Sequence, residues 1–188
     1  MINIKEKIDE HLDTIRAIRP LVPQLESVGR AMSDCLNNSG KILWMGNGGS
    51  AADCQHLAAE MVGRFARERP GLASIALTTD TSILTAVGND YGFEKIFARQ
   101  IDALCRPGDV VVGISTSGNS ANVLAAIQLA NARDALTIGF SGGEGGALKE
   151  AVNDCLIVPS NDTARIQEAH ILMGHLLCDW VEDAQVNA

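Results

Sequence analysis

The sequence predicts an α/β protein in which a doubly wound, five-stranded parallel sheet is flanked by helices, with a helix pair at the N-terminus. Two observations lead to this fold class. Short, nearly continuous apolar runs recur after residue 40, and such runs are typical of strands that are buried on both faces of a parallel sheet. Helical segments lie between most of these runs, as the crossovers of a parallel sheet require.

The first forty residues predict the helix pair. Apolar residues recur there at three- and four-residue steps, which indicates one amphipathic face: Ile4, Ile8, Leu12, Ile15 and Ile18. Pro20 and Pro23 interrupt this pattern, and a second helix from Leu25 to Leu36 runs up to an Asn-Asn-Ser-Gly stop signal. Because helices outside a sheet have few partners in their own chain, we expect another subunit to cover this pair.

The remaining elements follow from the same periodicity. Strands are expected at Ile42–Met45, Ala73–Leu77, Val110–Ile114, Ala135–Phe140 and Cys155–Val158. Helices are expected over about 50–64, 93–105, 120–132 and 146–152, with a last amphipathic helix from Thr163 to Asp183. The 188 residues fit one domain, in which residues 1–40 serve packing and oligomerisation and residues 41–188 form the α/β core.

Composition disfavours several classes of partner. The chain is 46% apolar, 20% charged and only 4% aromatic, with a net charge of -8, so we expect no nucleic-acid binding. No segment has the length or the pattern of a membrane span or a signal peptide. The dispersed cysteines include no C-x-x-C pair, which indicates small core residues in a reduced, cytoplasmic protein: Cys35, Cys54, Cys105, Cys155 and Cys178.

The first polar loop, Gly46-Asn47-Gly48-Gly49-Ser50, follows the first strand and opens a helix. The free N–H groups at such a helix N-terminus can bind an anion or a sugar. His56 and Glu60 follow four residues apart on one face of this helix. An isolated pair of this kind is by default a solvated helical pair, whereas beside the glycine loop it could bind a metal or move protons. Arg64 and Arg69, near the end of the helix, are each interpreted as surface residues.

The second polar loop, Ser115-Thr116-Ser117-Gly118-Asn119-Ser120, follows the third strand. Its hydroxyl groups and the N-terminus of the next helix suit a phosphate monoester, and the alternative is that they only cap the helix and shape the turn. In open α/β sheets ligands bind at the carboxyl ends of the strands, where both loops lie. Neither loop is a P-loop and the match to a dinucleotide fingerprint is weak, so a nucleotide cofactor is not preferred.

The last helix contributes Gln167 and His175, which are eight residues apart and therefore separated by about 80° around the axis. Both can face one groove, whereas His170 is turned by roughly 140° from His175 and is interpreted as structural. Together with His56 and Glu60, Gln167 and His175 form a mixed nitrogen and oxygen set compatible with zinc, although glutamine is an unusual zinc ligand.

A third polar cluster follows the second strand. Asp80 is expected to cap a helix and Gly92 to form a turn. Asn89 and Asp90 either belong to that turn or contact sugar hydroxyls.

Taken together, these residues closely resemble the phosphoheptose isomerases of the sugar isomerase (SIS) superfamily. The serine-rich loop is shared across SIS proteins, whereas the full set is more specific and extends over nearly the whole chain. The motifs that carry the resemblance are Gly46-Asn47-Gly48-Gly49-Ser50, Gln55-His56 with Glu60, Gly88-Asn89-Asp90-Tyr91-Gly92-Phe93, Gly113-Ile114-Ser115-Thr116-Ser117-Gly118-Asn119-Ser120, and Arg165-Ile166-Gln167-Glu168 with His175.

The resemblance implies the SIS fold, which is flavodoxin-like. It also implies the conversion of D-sedoheptulose 7-phosphate to D-glycero-D-manno-heptose 7-phosphate, a first step toward the ADP- or GDP-heptose of bacteria and their lipopolysaccharide. It also implies a homotetramer with active sites at subunit interfaces. One Zn²⁺ per subunit would bind to His56, Glu60, Gln167 and His175. The phosphate cradle would be Ser115, Thr116, Ser117 and Ser120. The remaining substrate contacts would be Asn47, Gly48, Gly49, Glu60, Asn89, Asp90 and Gln167.

The implied chemistry assigns roles to two residues. Isomerisation through an enediolate needs one base that reaches C1 and C2, and the carboxylate of Glu60 suits it. A second group must move protons at O1 and O2 or help to open the ring, and His175 suits that role. Some family members carry an acidic residue where this chain has Ala164, and Asp162 is not assigned to replace it.

Two other functions stay open. One is a non-catalytic SIS protein that binds the replication initiator DnaA, but that relative lacks the isomerase's glutamate and last histidine. The other is an enzyme for a different sugar phosphate, such as a hexosamine-phosphate isomerase or a muramic acid phosphate etherase. The presence of both Glu60 and His175 favours the phosphoheptose isomerase.

Overall fold

The computed structural model of the chain describes residues 2–186, and its centre is a five-stranded parallel sheet. The strand order is β2-β1-β3-β4-β5, the flavodoxin-like order of doubly wound folds. The strands are β1 (Ile42–Gly46), β2 (Ser74–Ala76), β3 (Val110–Ile114), β4 (Leu136–Gly142) and β5 (Asp154–Val158). The predicted sheet is therefore confirmed, and each strand lies within two residues of its expected bounds.

The helices cover both faces of this sheet. They are α1 (Ile4–Ala17), α2 (Val22–Asn37), α3 (Gly49–Val62), α4 (Thr81–Tyr91), α5 (Ala98–Leu104), α6 (Ala121–Asn131), α7 (Leu148–Ala151) and α8 (Thr163–Val186). Two short 3-10 turns, Arg19–Leu21 and Phe93–Lys95, precede α2 and α5. The helix expected over 93–105 is thus divided into a 3-10 turn and a shorter α-helix.

Alternate residues of the central strands face two separate hydrophobic cores. Ile42 and Trp44 of β1 pack in the core that α2, α3 and α8 cover, and Leu43 and Met45 pack in the core that α5 and α6 cover. All residues of β1 and β3 are buried. This two-sided burial is the reason why the strands read as continuous apolar runs rather than as an alternating pattern.

The N-terminal helices differ in how well they are covered. Pro23 lies in the first turn of α2, where a missing N–H costs little. Helix α2 packs on α8 and buries its apolar face in the first core, so the expectation of few partners within the chain is wrong for α2. Helix α1 also contacts α8, but it leaves Ile4, Ile8 and Leu12 exposed.

Helix α4 is not among the helices that the periodicity predicts. Asp80 caps it as expected, because its side chain accepts an N–H from the first turn, and Gly92 ends it with a φ of +89°. Apolar side chains of α4 pack against the second core, so the helix continues through residues that favour turns in isolation. Asn89 and Asp90 consequently lie in the last helical turn and not in a loop.

The cysteines are free thiols, as predicted. Four of them are buried and Cys155 is partly buried. Burial raises the pKa of the Cys155 thiol to about 11, so it stays protonated and behaves as a small packing residue. Between residues 2 and 186, no helix combines the length and the apolar character that crossing a membrane requires.

Candidate active site

The two polar loops lie side by side at the carboxyl ends of β1 and β3. These strands are neighbours, and the chain leaves them toward opposite sides of the sheet, which is the switch point where open α/β sheets bind ligands. Two amide side chains join the loops: Asn47 Nδ2 donates to Asn122 Oδ1 over 2.9 Å, and Asn122 Nδ2 donates to Asn47 Oδ1 over 2.8 Å. Asn122 is buried, and no motif of the sequence indicates its place in the site.

The glycine loop brings helix α8 close to the start of α3. Gly48 has a φ of +57°, a conformation that favours glycine. A Cβ atom on Gly49 would lie only 2.5 Å from Nε2 of Gln167, so the absence of a side chain lets the Gln167 amide approach the backbone there. The structure thus brings Gln167 to the predicted sugar-binding loop.

The hydroxyl groups of the serine-rich loop are partly free of local roles. Ser120 precedes α6, but its side chain makes no capping hydrogen bond. Its Oγ lies 2.9 Å from Oγ of Ser115, whereas Ser117 accepts the N–H of Asn119 within the turn. Thr116 and Ser117 also line a polar cavity of about 360 Å³. The capping alternative therefore does not account for Ser120, and the loop keeps donors for an anion.

The reactive side chains meet between α3 and α8. His56 Nε2 donates to Glu60 Oε1 over 3.0 Å, and His175 Nε2 lies 3.4 Å from His56 Nε2. Burial, and then the nearby His56, lower the pKa of His175, while Glu60 opposes this shift. The imidazole of His175 is therefore neutral at pH 7. The structure brings together three of the four predicted zinc residues.

The spacing of these atoms suits a shared cation. Ligand atoms in a tetrahedral zinc site with bonds of about 2.0–2.1 Å are about 3.3–3.4 Å apart. The two imidazole nitrogens are 3.4 Å apart, and the His56 nitrogen and the Glu60 oxygen are 3.0 Å apart. Residues 2–186 contain no group of three or more His, Cys, Asp or Glu side chains already arranged to hold a metal ion. The donor types suit zinc, and the two imidazole nitrogens have the spacing of a tetrahedral site, so zinc stays a prediction.

Two predicted substrate contacts on α4 are bonded to each other. Asn89 Nδ2 donates to Asp90 Oδ1 over 2.8 Å, and both side chains are exposed on α4. His170, predicted to be structural, is fully buried, and its Nε2 donates to the carbonyl of Ser141 over 3.0 Å. The structural interpretation of His170 is confirmed.

Further residues near the site escaped the sequence analysis. The Phe65 ring lies 5.5 Å from the His175 ring, and Asp53, one turn before His56, has a buried oxygen without a hydrogen-bond partner among the described residues. Burial raises the pKa of Asp53. The spacing of Asp53, three residues before His56, is the sequence signal that could have indicated it.

The interpretation of Arg69 as a surface residue is wrong. Its side chain is only 3% exposed and pairs with the buried Glu182.

Known proteins resemble this chain in sequence and in structure. The SIS domain family profile matches residues 7–142. A phosphoheptose isomerase from Geotalea daltonii is 56% identical over 180 residues, covering 95% of this chain and 94% of that protein. Phosphoheptose isomerase GmhA from Neisseria gonorrhoeae superposes with a TM-score of 0.87 at 49% identity, covering 96% of this chain and 100% of the other.

A phosphoheptose isomerase from Francisella tularensis superposes with a TM-score of 0.88 at 40% identity, covering 97% of this chain and 100% of that chain. These matches extend over nearly the full length on both sides. The chain therefore belongs to the SIS domain family and, within it, to the phosphoheptose isomerases.

Proposed function

We propose that the protein isomerises D-sedoheptulose 7-phosphate to D-glycero-D-manno-heptose 7-phosphate, in the cytoplasm and as a first step toward the heptose of bacterial lipopolysaccharide. The observation that carries this proposal is the convergence of His56, Glu60 and His175 in one groove. The DnaA-binding alternative would need neither Glu60 nor His175. Relatives at 49–56% identity carry the name phosphoheptose isomerase, which supports this substrate over other sugar phosphates.

Glu60 is the proposed base. Isomerisation moves a proton between C1 and C2, so one group must reach both carbons from the same side of the sugar. The Glu60 side chain is 24% exposed in the groove, and its Oε1 is held by His56. Neutral His175, across His56, can accept and return the protons of the sugar oxygens. A bound Zn²⁺ would supply Lewis-acid stabilisation of the enediolate oxygens.

The serine-rich loop is the proposed phosphate cradle. The N-terminus of α6 has free N–H groups, which favour an anion. The side chains that precede it in the loop are Ser115, Thr116, Ser117 and Ser120. Binding energy at the phosphate helps to orient the reacting carbons at the other end of the substrate. The proposed sugar contacts between the two ends are Asn47, Gly48, Gly49, Asn89, Asp90 and Gln167.

An isomerase assay tests this function. The purified protein is incubated with sedoheptulose 7-phosphate, with and without added Zn²⁺, and the products are separated chromatographically. We expect an aldose phosphate of unchanged mass. We expect Glu60→Gln to lose turnover while it still binds the sugar phosphate, because the amide cannot act as a base and the serine-rich loop is unchanged. The absence of aldose under both conditions would contradict the proposed function.

We propose Zn²⁺ as the cofactor, with His56, Glu60, Gln167 and His175 as its ligands. Elemental analysis of the purified chain should find about one zinc per subunit. The His56→Ala variant should lose most of this zinc, and the His11→Ala variant, which alters a histidine on α1, should retain it. Equal zinc contents in His56→Ala and in the unmodified chain would refute the site.

We also propose a homotetramer with active sites at subunit interfaces. Helix α1 exposes Ile4, Ile8 and Leu12, and α8 exposes Leu176 and Trp180, which are the kind of apolar surface that association covers. Light scattering should give four times the chain mass of 19.9 kDa. Ile8→Glu should shift the protein to smaller species, whereas a monomeric unmodified chain would contradict this assembly.

A further inference from the structure

A buried carboxylate on α8 holds the loop that follows α3. Glu182 is fully buried, its Oε1 accepts the N–H of Phe65 over 2.9 Å, and its Oε2 accepts the N–H groups of Ala66 and Arg67 over 2.7 Å each. Burial alone would raise the pKa of Glu182, but these backbone N–H groups and Arg69 lower it overall. The side chain is therefore a carboxylate anion whose oxygens are occupied by the loop.

Arg69 connects this carboxylate to the end of α3. Its Nε lies 3.1 Å from Oε1 of Glu182, and its guanidinium group donates to the carbonyl of Glu60 over 2.9 Å and to the carbonyl of Met61 over 2.9 Å. These are carbonyls of the last helical turn, which have no partners within the helix. A cation at this end also complements the helix dipole. The pair thus fixes the backbone of the residue that carries the proposed base.

The loop that Glu182 holds touches the reactive group. The ring of Phe65 lies 5.5 Å from the ring of His175, and the ring of His56 lies 4.9 Å from His175 on another side. Glu182 follows His175 by seven residues, or two helical turns with an offset of about 20°, so both point from the same stripe of α8. Holding the Phe65 backbone therefore restricts the orientations that His175 can adopt.

We propose that Glu182 is a positioning residue of this isomerase, which orients His175 by holding the backbone of Phe65 in contact with it. The inference rests on the proposed function for its catalytic consequence. Glu182 itself has no accessible surface with which to touch a substrate. Its effect should therefore appear in kcat, whereas substrate affinity should change little.

The chain contains a matched control for a purely structural role. Asp109, before β3, is 2% exposed and accepts hydrogen bonds from Lys41 Nζ over 2.6 Å, from Lys41 N over 3.0 Å and from Arg106 N over 2.7 Å. Like Glu182, Asp109 is a buried carboxylate that binds both a cationic side chain and backbone N–H groups. The turn it holds lies before β3, at the opposite end of the strand from the serine-rich loop.

Steady-state kinetics of Glu182→Gln and Asp109→Asn distinguish the two roles. We expect Glu182→Gln to lower kcat by ~100-fold, the scale of a displacement of about 1 Å in an active site, with KM changed by less than about threefold. We expect Asp109→Asn to lose thermal stability but to keep kcat within about twofold per folded molecule. Equal kcat values in Glu182→Gln and Asp109→Asn would overturn the inference.

A double-mutant cycle tests the route through Phe65. If Glu182 acts through that ring, Glu182→Gln should cost less than about threefold in kcat when it is added to Phe65→Leu. Independent, multiplicative effects would overturn the inference. Phe65→Leu by itself leaves the carboxylate in place and should lower kcat by about tenfold or more. If Glu182→Gln does not fold, Phe65→Leu alone tests the positioning role. An unchanged kcat in Phe65→Leu would refute the proposal.

Nuclear magnetic resonance separates this inference from the proposed activity. The contact between the ring protons of Phe65 and His175 should be lost in Glu182→Gln and kept in Asp109→Asn. This readout needs no substrate, so it stands even if the unmodified chain fails to isomerise sedoheptulose 7-phosphate. A contact that persists unchanged in folded Glu182→Gln would overturn the positioning role.

Discussion

Two histidines of α8, five residues apart, lie in opposite environments. His170 is fully buried, with its ring 5.7 Å from Phe140 and its Nε2 bonded to the Ser141 carbonyl, and burial lowers its pKa to about 4. His175 lies half-buried in the α3–α8 groove, with its Nε2 3.4 Å from that of His56.

The difference shows that position on the helix decides the role of an imidazole. Five residues rotate the side chain by about 140°, which turns His170 into the core and His175 into the groove. An imidazole that is buried, neutral and committed to one carbonyl supports packing. One that faces a groove beside a second imidazole and a carboxylate can bind a metal or move protons.

The largest effect is expected at the groove. His175→Gln should lower kcat for sedoheptulose 7-phosphate by ~10³-fold, because it removes a group that moves protons. Thermal unfolding should change by less than about 2 °C, since the side chain is only half-buried. Parallel kinetics and calorimetry measure both quantities. A kcat within tenfold of the unmodified enzyme would remove His175 from the mechanism.

The converse is expected in the core. His170→Ala should destabilise the fold by about 3 kcal/mol, because it opens a cavity in the core and removes the hydrogen bond to the Ser141 carbonyl. The kcat of the folded fraction should remain within about threefold, since the ring touches no reactive group. Urea unfolding gives the stability, and activity normalised to folded protein gives kcat. A hundredfold loss of kcat at full stability would reverse the assignment of the two histidines.

The smallest effect is a pH dependence of stability that arises from His170. The unfolded imidazole takes up a proton below about pH 6.5, whereas the folded one does so only near the lowered pKa of about 4. Its contribution is therefore complete above pH 6.5 and is lost as the pH falls toward 4, by at most ~3 kcal/mol. Urea unfolding between pH 4 and pH 6.5 should show that the free energy of unfolding depends less on pH in His170→Gln than in the unmodified chain. An equal pH dependence in the two proteins would contradict an origin in His170.

Much of the fold was predictable because its signals are local. Strand positions follow from apolar runs, and the separation of His170 from His175 follows from helical rotation along one uninterrupted helix. Helix α4 was missed because its last turn contains Asn89 and Asp90, whose turn preference is outweighed by packing against the second core. That competition between local preference and packing is not visible in the residues themselves.

The sequence by itself determined the positions of the strands and of most helices, the two polar loops and the His56–Glu60 pair. These features depend on periodicity and turn chemistry within a few residues. Only the tertiary structure decided that Arg69 is buried and that Phe65 contacts His175. Glu182 and Phe65 are 117 residues apart, and only packing determines that they meet. Because a desolvated charge must be satisfied by nearby donors, burial of the Glu182 carboxylate ties it to the backbone N–H groups of the loop after α3.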